Sequence, residues 1–505
     1  MNTKFLEYIL NNRKTAFVLL IGLFAFFLLI ALNAEMTYDA GDGIRHYLFS
    51  RYSWNHPSLF LDSWAKPFFT FITSPFSQFG LMGITVFNIF CGMLTAWLCY
   101  KIVQKLGFKN PVLVIPFLVF TPAYFPTMNS GLTEPVFGLM IIASIYLVIQ
   151  GNFIAVALLI SCLPFVRSEG FLFMPLFALI FLRRKKYLTI LLFSFGTVAL
   201  SIIGYFYYHD LFWIKTQNPY TGHNSDIYGR GSLFHFISNY RALWGTALFA
   251  LFIAGFVAPI FFKKDKENKN LNYFIPEIIF LVYGCFGVYF IAHSVFWWKG
   301  MAGSLGLLRV IAGVMPCSAI ICLAGINLLL KPFKDQYEPF KYVVVLALVF
   351  LIIRSPFKHE YFPYKADPEQ QLIIETGNWY KQQHFENRKV YYLYPYFAHV
   401  LNVDSFEKTK VEDLWSLYPT IKEWGINTIP DSTMVIWDAH FGPNECRIPL
   451  NQIMNDPNFT LIKSFKPKKP FKVLGGYDFE IYVFVKTNKP RVIMSDLSDK
   501  VLNIK

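Results

Sequence analysis

The chain has 505 residues, of which 55% are hydrophobic and only 15% charged. That excludes a water-soluble protein, because a soluble chain of this length must present most of its surface to water. The formal charge of +14 is no nucleic-acid signature either. The Lys and Arg residues fall in short clusters between apolar stretches, at 13–14, 101–109, 183–186, 263–269 and 331–341, where membrane proteins keep positive charge to set their orientation.

In chain order, the apolar stretches predict about eleven membrane-crossing helices, since roughly 20 helical residues cross a hydrocarbon core. They cover 15–33, 81–103, 111–128, 133–150, 152–166, 171–182, 187–208, 242–262, 274–297, 305–330 and 342–353. The first follows a basic terminus, exceeds a signal-peptide core and lacks a good cleavage site, so it reads as an uncleaved anchor. The pieces between 133 and 182 are short and interrupted by Gly and Pro, which predicts tilted, kinked or re-entrant helices. With the amino terminus in the cytoplasm, the inner loops hold roughly twice the Lys and Arg of the outer loops. The loops 34–80 and 209–241 then face outward, as does the tail. Residues 1–355 form the membrane domain. The tail, 356–505, alternates an amphipathic helical stretch at 368–384 with strand-like runs at 390–394, 434–437 and 480–485, which predicts a small soluble α/β domain. Six of the seven cysteines lie in apolar spans and only Cys446 lies in the tail, so no disulfide braces that domain. The expected fold class is thus an α-helical polytopic membrane protein with a small C-terminal α/β domain, multi-pass in the inner (plasma) membrane, its tail periplasmic or extracellular.

The chemistry-bearing residues gather at the outer ends of the spans. The first outer loop reads Thr37-Tyr38-Asp39-Ala40-Gly41-Asp42-Gly43-Ile44-Arg45-His46 and continues to His56-Pro57. Carboxylates at the membrane surface, partly shielded from water, suit general-base chemistry. Asp39, Asp42 and His46 can equally hold a divalent cation, and an Asp-Gly turn that caps a following helix explains the same residues. Glu134, in Thr133-Glu134-Pro135, opens an apolar helix, where the helix dipole favours an acid. The next outer turn is Arg167-Ser168-Glu169-Gly170, whose plain reading is a salt bridge. Tyr220 and His223 in the second outer loop suit sugar rings or an interfacial belt. Lys299 and Arg309 follow, and Arg309 sits where an unpaired charge is costly, so a lipid phosphate, Glu134 or Glu169 is its expected partner. In the tail, Asp438, His440 and Glu445 follow a strand-like run, best read as a strand-ending turn. Charge near the middle of the spans is nearly absent, whereas an ion-coupled transporter needs it there.

Together, the Asp-bearing first outer loop, the Thr-Glu-Pro helix start, the Arg-Ser-Glu-Gly turn and the late Leu308-Arg309 before Met315-Pro316 resemble the GT-C glycosyltransferases. These are polyprenyl-phosphate-sugar-dependent membrane enzymes similar to the protein mannosyltransferases and the lipid A aminoarabinose transferases. The resemblance covers roughly residues 1–354. It implies an inverting glycosyl transfer of hexosyltransferase type, from a polyprenyl-phosphate sugar to an acceptor hydroxyl on a glycan, lipid or protein, with a divalent cation optional. Asp42 or Asp39 would be the base, because the loop carries Asp-x-x-Asp-Gly where the protein mannosyltransferases have an adjacent Asp-Glu pair. Arg309 with Lys299 would stabilise the departing lipid phosphate, and Glu134 and Glu169 would orient the acceptor or bind a cation. Arg167, His56, Tyr220 and His223 complete the substrate-binding set. The alternative from another class is a non-enzymatic flippase or exporter of lipid-linked glycans, which calls for a polar groove through the whole bilayer.

Overall fold

The computed structural model describes residues 3–219, 228–262, 276–333, 338–383, 385 and 388–487. It is mostly helical and divides into two compact units. The first comprises Met1–Asp39, Phe49–Ser53 and Pro57–Lys365; the second comprises Ala40–Leu48, Trp54–His56 and Ala366–Lys505.

In the first unit, five helices among the described residues are long and apolar enough to cross a membrane: Arg13–Leu32, Gly80–Lys105, Tyr187–Tyr208, Pro276–Lys299 and Leu308–Leu330. Shorter apolar helices are Glu134–Gln150, Phe153–Phe165 and Gly245–Phe261. Their apolar residues encircle the axis instead of forming one stripe, as expected where lipid is the outer solvent. Phe17, Val18, Ile21 and Leu29 stand exposed on the first of them, and Leu188, Ile202, Ile203 and Phe206 on the third. By contrast, the segment Leu308–Leu330 is almost wholly enclosed.

Two glycines set its close packing. A Cβ on Gly255 would collide with the Ile321 carbonyl, and one on Gly325 with the Leu251 carbonyl. The helices Gly245–Phe262 and Met315–Leu330 therefore approach backbone to backbone, the arrangement small residues permit between membrane helices. The expected continuous span at 111–128 is instead a broken path: a 3-10 turn Pro111–Leu113, a helix Val114–Val119 and a 3-10 turn Pro126–Asn129. Pro116, Pro122 and Pro126 remove the amide donors that an unbroken helix needs.

The second unit carries a five-stranded sheet of β1 (Val390–Tyr392), β2 (Val411–Asp413), β3 (Met434–Asp438), β4 (Phe459–Phe465) and β5 (Ile481–Lys486), in the order β2-β1-β3-β5-β4. β1 is parallel to β2 and β3, while β5 is antiparallel to β3 and β4. Tyr391, Leu414, Val435, Trp437, Cys446, Phe459 and Phe484 form its core. The helix Pro368–Gln382 starts from a capping box in which Asp367 and Gln370 satisfy each other's backbone amides. The three strand-like runs are strands β1, β3 and β5, whereas the sequence reading had no counterpart for β2 or β4. β2 is only three residues long, and β4 has exposed positions at Lys463 and Ser464, which blur the alternation that marks a strand.

Candidate active site

The first unit brings its buried charges into one chain of contacts, and the local sequence explains how each is held. Asn88, buried on the helix Gly80–Lys105, donates through Nδ2 to the carbonyls of Ser130 (2.8 Å) and Leu132 (2.9 Å). That clamps the loop leading into Glu134. The carbonyl of Asn129 in the same loop accepts from the Thr37 hydroxyl (3.0 Å) and the Tyr38 amide (3.2 Å), which fixes the backbone carrying Asp39 beside it. Pro135 occupies the first turn of the helix Glu134–Gln150, where its missing donor costs nothing.

Glu134 is fully buried, and one of its oxygens serves two guanidinium groups. Oε1 lies 2.8 Å from Arg167 and 3.3 Å from Arg309. Arg309 also reaches Asp39 through Nε at 3.2 Å. Arg167 donates to the Thr133 hydroxyl at 3.1 Å and to Glu169 Oε1 at 3.1 Å. The same Glu169 oxygen lies 3.1 Å from His293 Nε2. The result is a continuous path Asp39–Arg309–Glu134–Arg167–Glu169–His293. Asp39, Arg167, Glu169 and Arg309 retain between 11% and 18% of their side-chain exposure. Burial would raise Glu169, but the Arg167 guanidinium beside it, helped by His293, holds its carboxyl well below the usual range.

Lys66 joins the same neighbourhood. It is buried, and its ammonium donates to the Ser168 hydroxyl at 2.9 Å and to the Ser63 carbonyl at 3.0 Å. Burial pulls it down to about 8, against the opposing pull of Glu169. Its backbone has φ 69°, a left-handed conformation that costs a non-glycine residue on the order of 1 kcal/mol or more and concentrates at functional sites.

Five of the expected site residues, Asp39, Glu134, Arg167, Glu169 and Arg309, therefore converge. Lys299 lies at an exposed helix end, its ammonium 3.8 Å from the centre of the Trp298 ring. Asp42 is the first residue of the helix Asp42–Tyr52 and belongs with His46 and His56 to the second unit. There His56 Nε2 pairs with Asp404 at 3.0 Å. In the same unit Asp438 caps its own turn, accepting from the amides of His440 and Phe441, and His440 pairs with Glu369 at 2.8 Å. Tyr220 and His223 lie outside the described residues. Among the described residues no three His, Cys, Asp or Glu side chains are grouped to hold a metal ion. Sequence reasoning missed His293 and Lys66. A lone histidine inside an apolar stretch was the available signal for the first; nothing in the sequence announces the backbone conformation of the second.

No protein-family model and no characterised protein sequence matches the chain. Solved structures do. The crystal structure of ArnT from Cupriavidus metallidurans bound to undecaprenyl phosphate superposes with a TM-score of 0.55 at 9% identity, over 94% of this chain and 98% of that one. The apo form of that protein gives 0.54 at 11% identity, over 92% and 97%. The cryo-EM structure of the arabinofuranosyltransferase AftD from Mycobacteria gives 0.50 at 11% identity, covering 93% of this chain and 40% of that one. At these identities the likeness shows the fold: the chain is folded as ArnT is.

Proposed function

We propose that this protein is a membrane glycosyltransferase that moves a sugar from a polyprenyl-phosphate donor to an acceptor hydroxyl at the outer face of the membrane, with inversion. The observation that carries the reading is the buried path from Asp39 to Glu169, with two guanidinium groups and the strained Lys66 nearby. Paired cations near helix ends, with limited access to water, suit a phosphate leaving group, whose charge develops as the glycosidic bond breaks. The lipid phosphate of the ArnT complex supports the same donor class.

In this reaction the acceptor oxygen attacks the anomeric carbon while a carboxylate takes its proton. The bond from that carbon to the phosphate oxygen breaks, and the electron pair leaves with the polyprenyl phosphate. Asp42 and Asp39 are the candidate bases. Three chain positions separate them, so connectivity alone keeps their Cα atoms within about 11 Å. Arg309, with Lys66 beside Ser168, would meet the departing phosphate. Glu134 holds the guanidinium groups in place, and Arg167 and Glu169 line the approach. The membrane part would cross about eleven times, with the amino terminus cytoplasmic and the C-terminal α/β domain outside, shaping acceptor access.

The test is donor turnover in membranes with Asp39→Asn and Asp42→Asn made separately. One of them should lower transfer by about a hundredfold or more. Wild-type rates in both folded variants would sink the assignment of the base. Donor translocation without sugar transfer would favour a flippase instead.

A further inference from the structure

Beside Tyr38, two buried side chains carry polar atoms that no group in the protein bonds. Asn129 is 3% exposed, and both its carboxamide nitrogen and its carboxamide oxygen lack a hydrogen-bond partner. Tyr364 is 8% exposed, and its hydroxyl lacks one too. Desolvated polar groups without partners destabilise a fold. Neither side chain is needed to hold its own segment. The Asn129 backbone carbonyl already accepts from the Thr37 hydroxyl and the Tyr38 amide, and Asn88 clamps the residues that follow. At Tyr364 the backbone carbonyl accepts from the Glu35 amide (2.8 Å), and the ring packs 4.8 Å, centre to centre, from Phe362. The hydroxyl adds to neither contact.

Both residues border the charged path through Tyr38. The Tyr38 amide bonds the Asn129 carbonyl, and the Tyr38 ring lies 5.9 Å from the Tyr364 ring. Asp39, next in the chain, pairs with Arg309 at 3.2 Å. Glu360 completes the set, within Coulombic reach of the Tyr38 and Tyr364 hydroxyls. Burial raises its carboxyl, and no cation among the described residues opposes that shift. The donors and acceptors are mixed. A carboxamide offers two donors and an acceptor whichever way it is turned, a phenol offers one donor and an acceptor, and a carboxylate only accepts. A phosphate, itself only an acceptor, would be repelled at the amide oxygen and at Glu360. A sugar hydroxyl both donates and accepts, and so matches all three.

We propose that Asn129, Tyr364 and Glu360 form a recognition subsite for the hydroxyl groups of the transferred sugar, beside the phosphate position at Arg309. This rests on the transferase reading. In a polyprenyl-phosphate donor the sugar is bonded directly to the phosphate, so a phosphate at Arg309 sets the sugar against the neighbouring surface. The subsite brings a carboxylate and no cation of its own, so it selects an uncharged sugar over one that carries a carboxylate. These residues make hydrogen bonds only, and no covalent step passes through them.

The experiment measures equilibrium binding to the full chain in nanodiscs. The probes are bare undecaprenyl phosphate and undecaprenyl phosphate bearing glucose, mannose, galactose, N-acetylglucosamine or glucuronic acid. The ratio of sugar-bearing to bare affinity is the readout, because a merely structural residue changes both alike. In the wild type at least one uncharged sugar should raise affinity above that of the bare lipid phosphate, and glucuronic acid should not. Tyr364→Phe keeps the ring and removes the hydroxyl, Glu360→Gln removes the charge, and Asn129→Leu removes the carboxamide at similar size. Each should lower the ratio by roughly threefold to tenfold, the effect of losing one hydrogen bond. The hydroxyl of Tyr364 has no partner in the protein, so Tyr364→Phe without ligand should unfold at or above the wild-type temperature. A clear drop in that temperature, or a ratio that stays at the wild-type value in Tyr364→Phe and Glu360→Gln, overturns the inference. So does a wild type that binds no sugar-bearing lipid more tightly than the bare one; each of these results leaves the transferase reading intact. If Asn129→Leu does not fold, the other two variants carry the comparison. Failure of the wild type to bind undecaprenyl phosphate in any form overturns the transferase reading, and this inference with it.

Discussion

The first unit uses the same ionic motif twice, with the guanidinium groups at opposite solvent exposure around a buried acid. Glu277, at the start of the helix Pro276–Lys299, shares Oε1 between Arg183 (3.4 Å) and Arg184 (3.2 Å), whose side chains are 63% and 49% exposed. Glu134 shares Oε1 between Arg167 and Arg309, which are 13% and 11% exposed. Around a buried carboxylate, two guanidinium groups thus stand either largely in water, as at Glu277, whose own side chain is only 7% exposed, or desolvated with the acid. Solvent screens the guanidinium groups of the first, so little free energy depends on that pairing. The second has lost its hydration, and each charge depends on its partners. The consequence is that the proposed site cannot be recognised from the presence of an Arg–Glu–Arg set alone; the desolvation of its guanidinium groups distinguishes it.

That comparison can be broken most easily at its acids. Glu134→Gln leaves two buried guanidinium groups short of a charge, and should destabilise the first unit by about 3–5 kcal/mol and abolish turnover. Glu277→Gln should cost about 1 kcal/mol or less and leave turnover near wild type. Thermal unfolding of both variants in one lipid system checks the pair, and equal losses would refute the contrast. Next in size, Arg309→Lys keeps the charge but loses the planar fork that serves Asp39 and Glu134 together. Donor turnover should fall by roughly a hundredfold, against no measurable change for Arg184→Lys. Added salt sharpens the distinction further: from 0.05 to 0.5 M it should weaken what little the Glu277 cluster contributes and leave the Glu134 cluster nearly unaffected.

The smallest effect concerns pH and sets Glu169 against Asp438 of the second unit. Glu169 is held below its ordinary value, so its stabilisation is present above about pH 4.3 and is lost only as acid reaches its depressed folded value. Asp438 goes the other way. Burial pushes it up to about 7, although the amides of Phe441 and His440 oppose the shift. An acid raised on folding contributes stability that is present below its unfolded value of about 4 and declines as pH rises through the interval to about 7. Asp438→Asn keeps an oxygen for both amides and removes the titration. Hydrogen exchange of β3 should then lose its pH dependence between about 4 and 7, corrected for the intrinsic exchange rate; an unchanged dependence would show that Asp438 is ionised throughout.

How much of this was legible beforehand depended on the kind of signal. Asp39, Glu134, Arg167, Glu169 and Arg309 could be named because ionisable side chains beside apolar stretches are few and each stands out. Their meeting could not be read, since Asp39 and Arg309 are 270 positions apart and only packing brings them to 3.2 Å. Lys299 had the same credentials as Arg309 but lies over Trp298 in the open. The path from 111 to 129 looked continuous by hydropathy, yet its prolines break it. Hydropathy sums over side chains and says nothing about which amides can pair.

By itself, the sequence determined the membrane character, the polar tail and the short set of charged residues from which a site could be built, because composition and local period follow from adjacent residues alone. Only the tertiary structure decided which of those charges share an oxygen, that Lys66 adopts a left-handed backbone among them, and that His293 closes the series. Desolvation and Coulomb pairing depend on distances across the fold, and no local pattern encodes them.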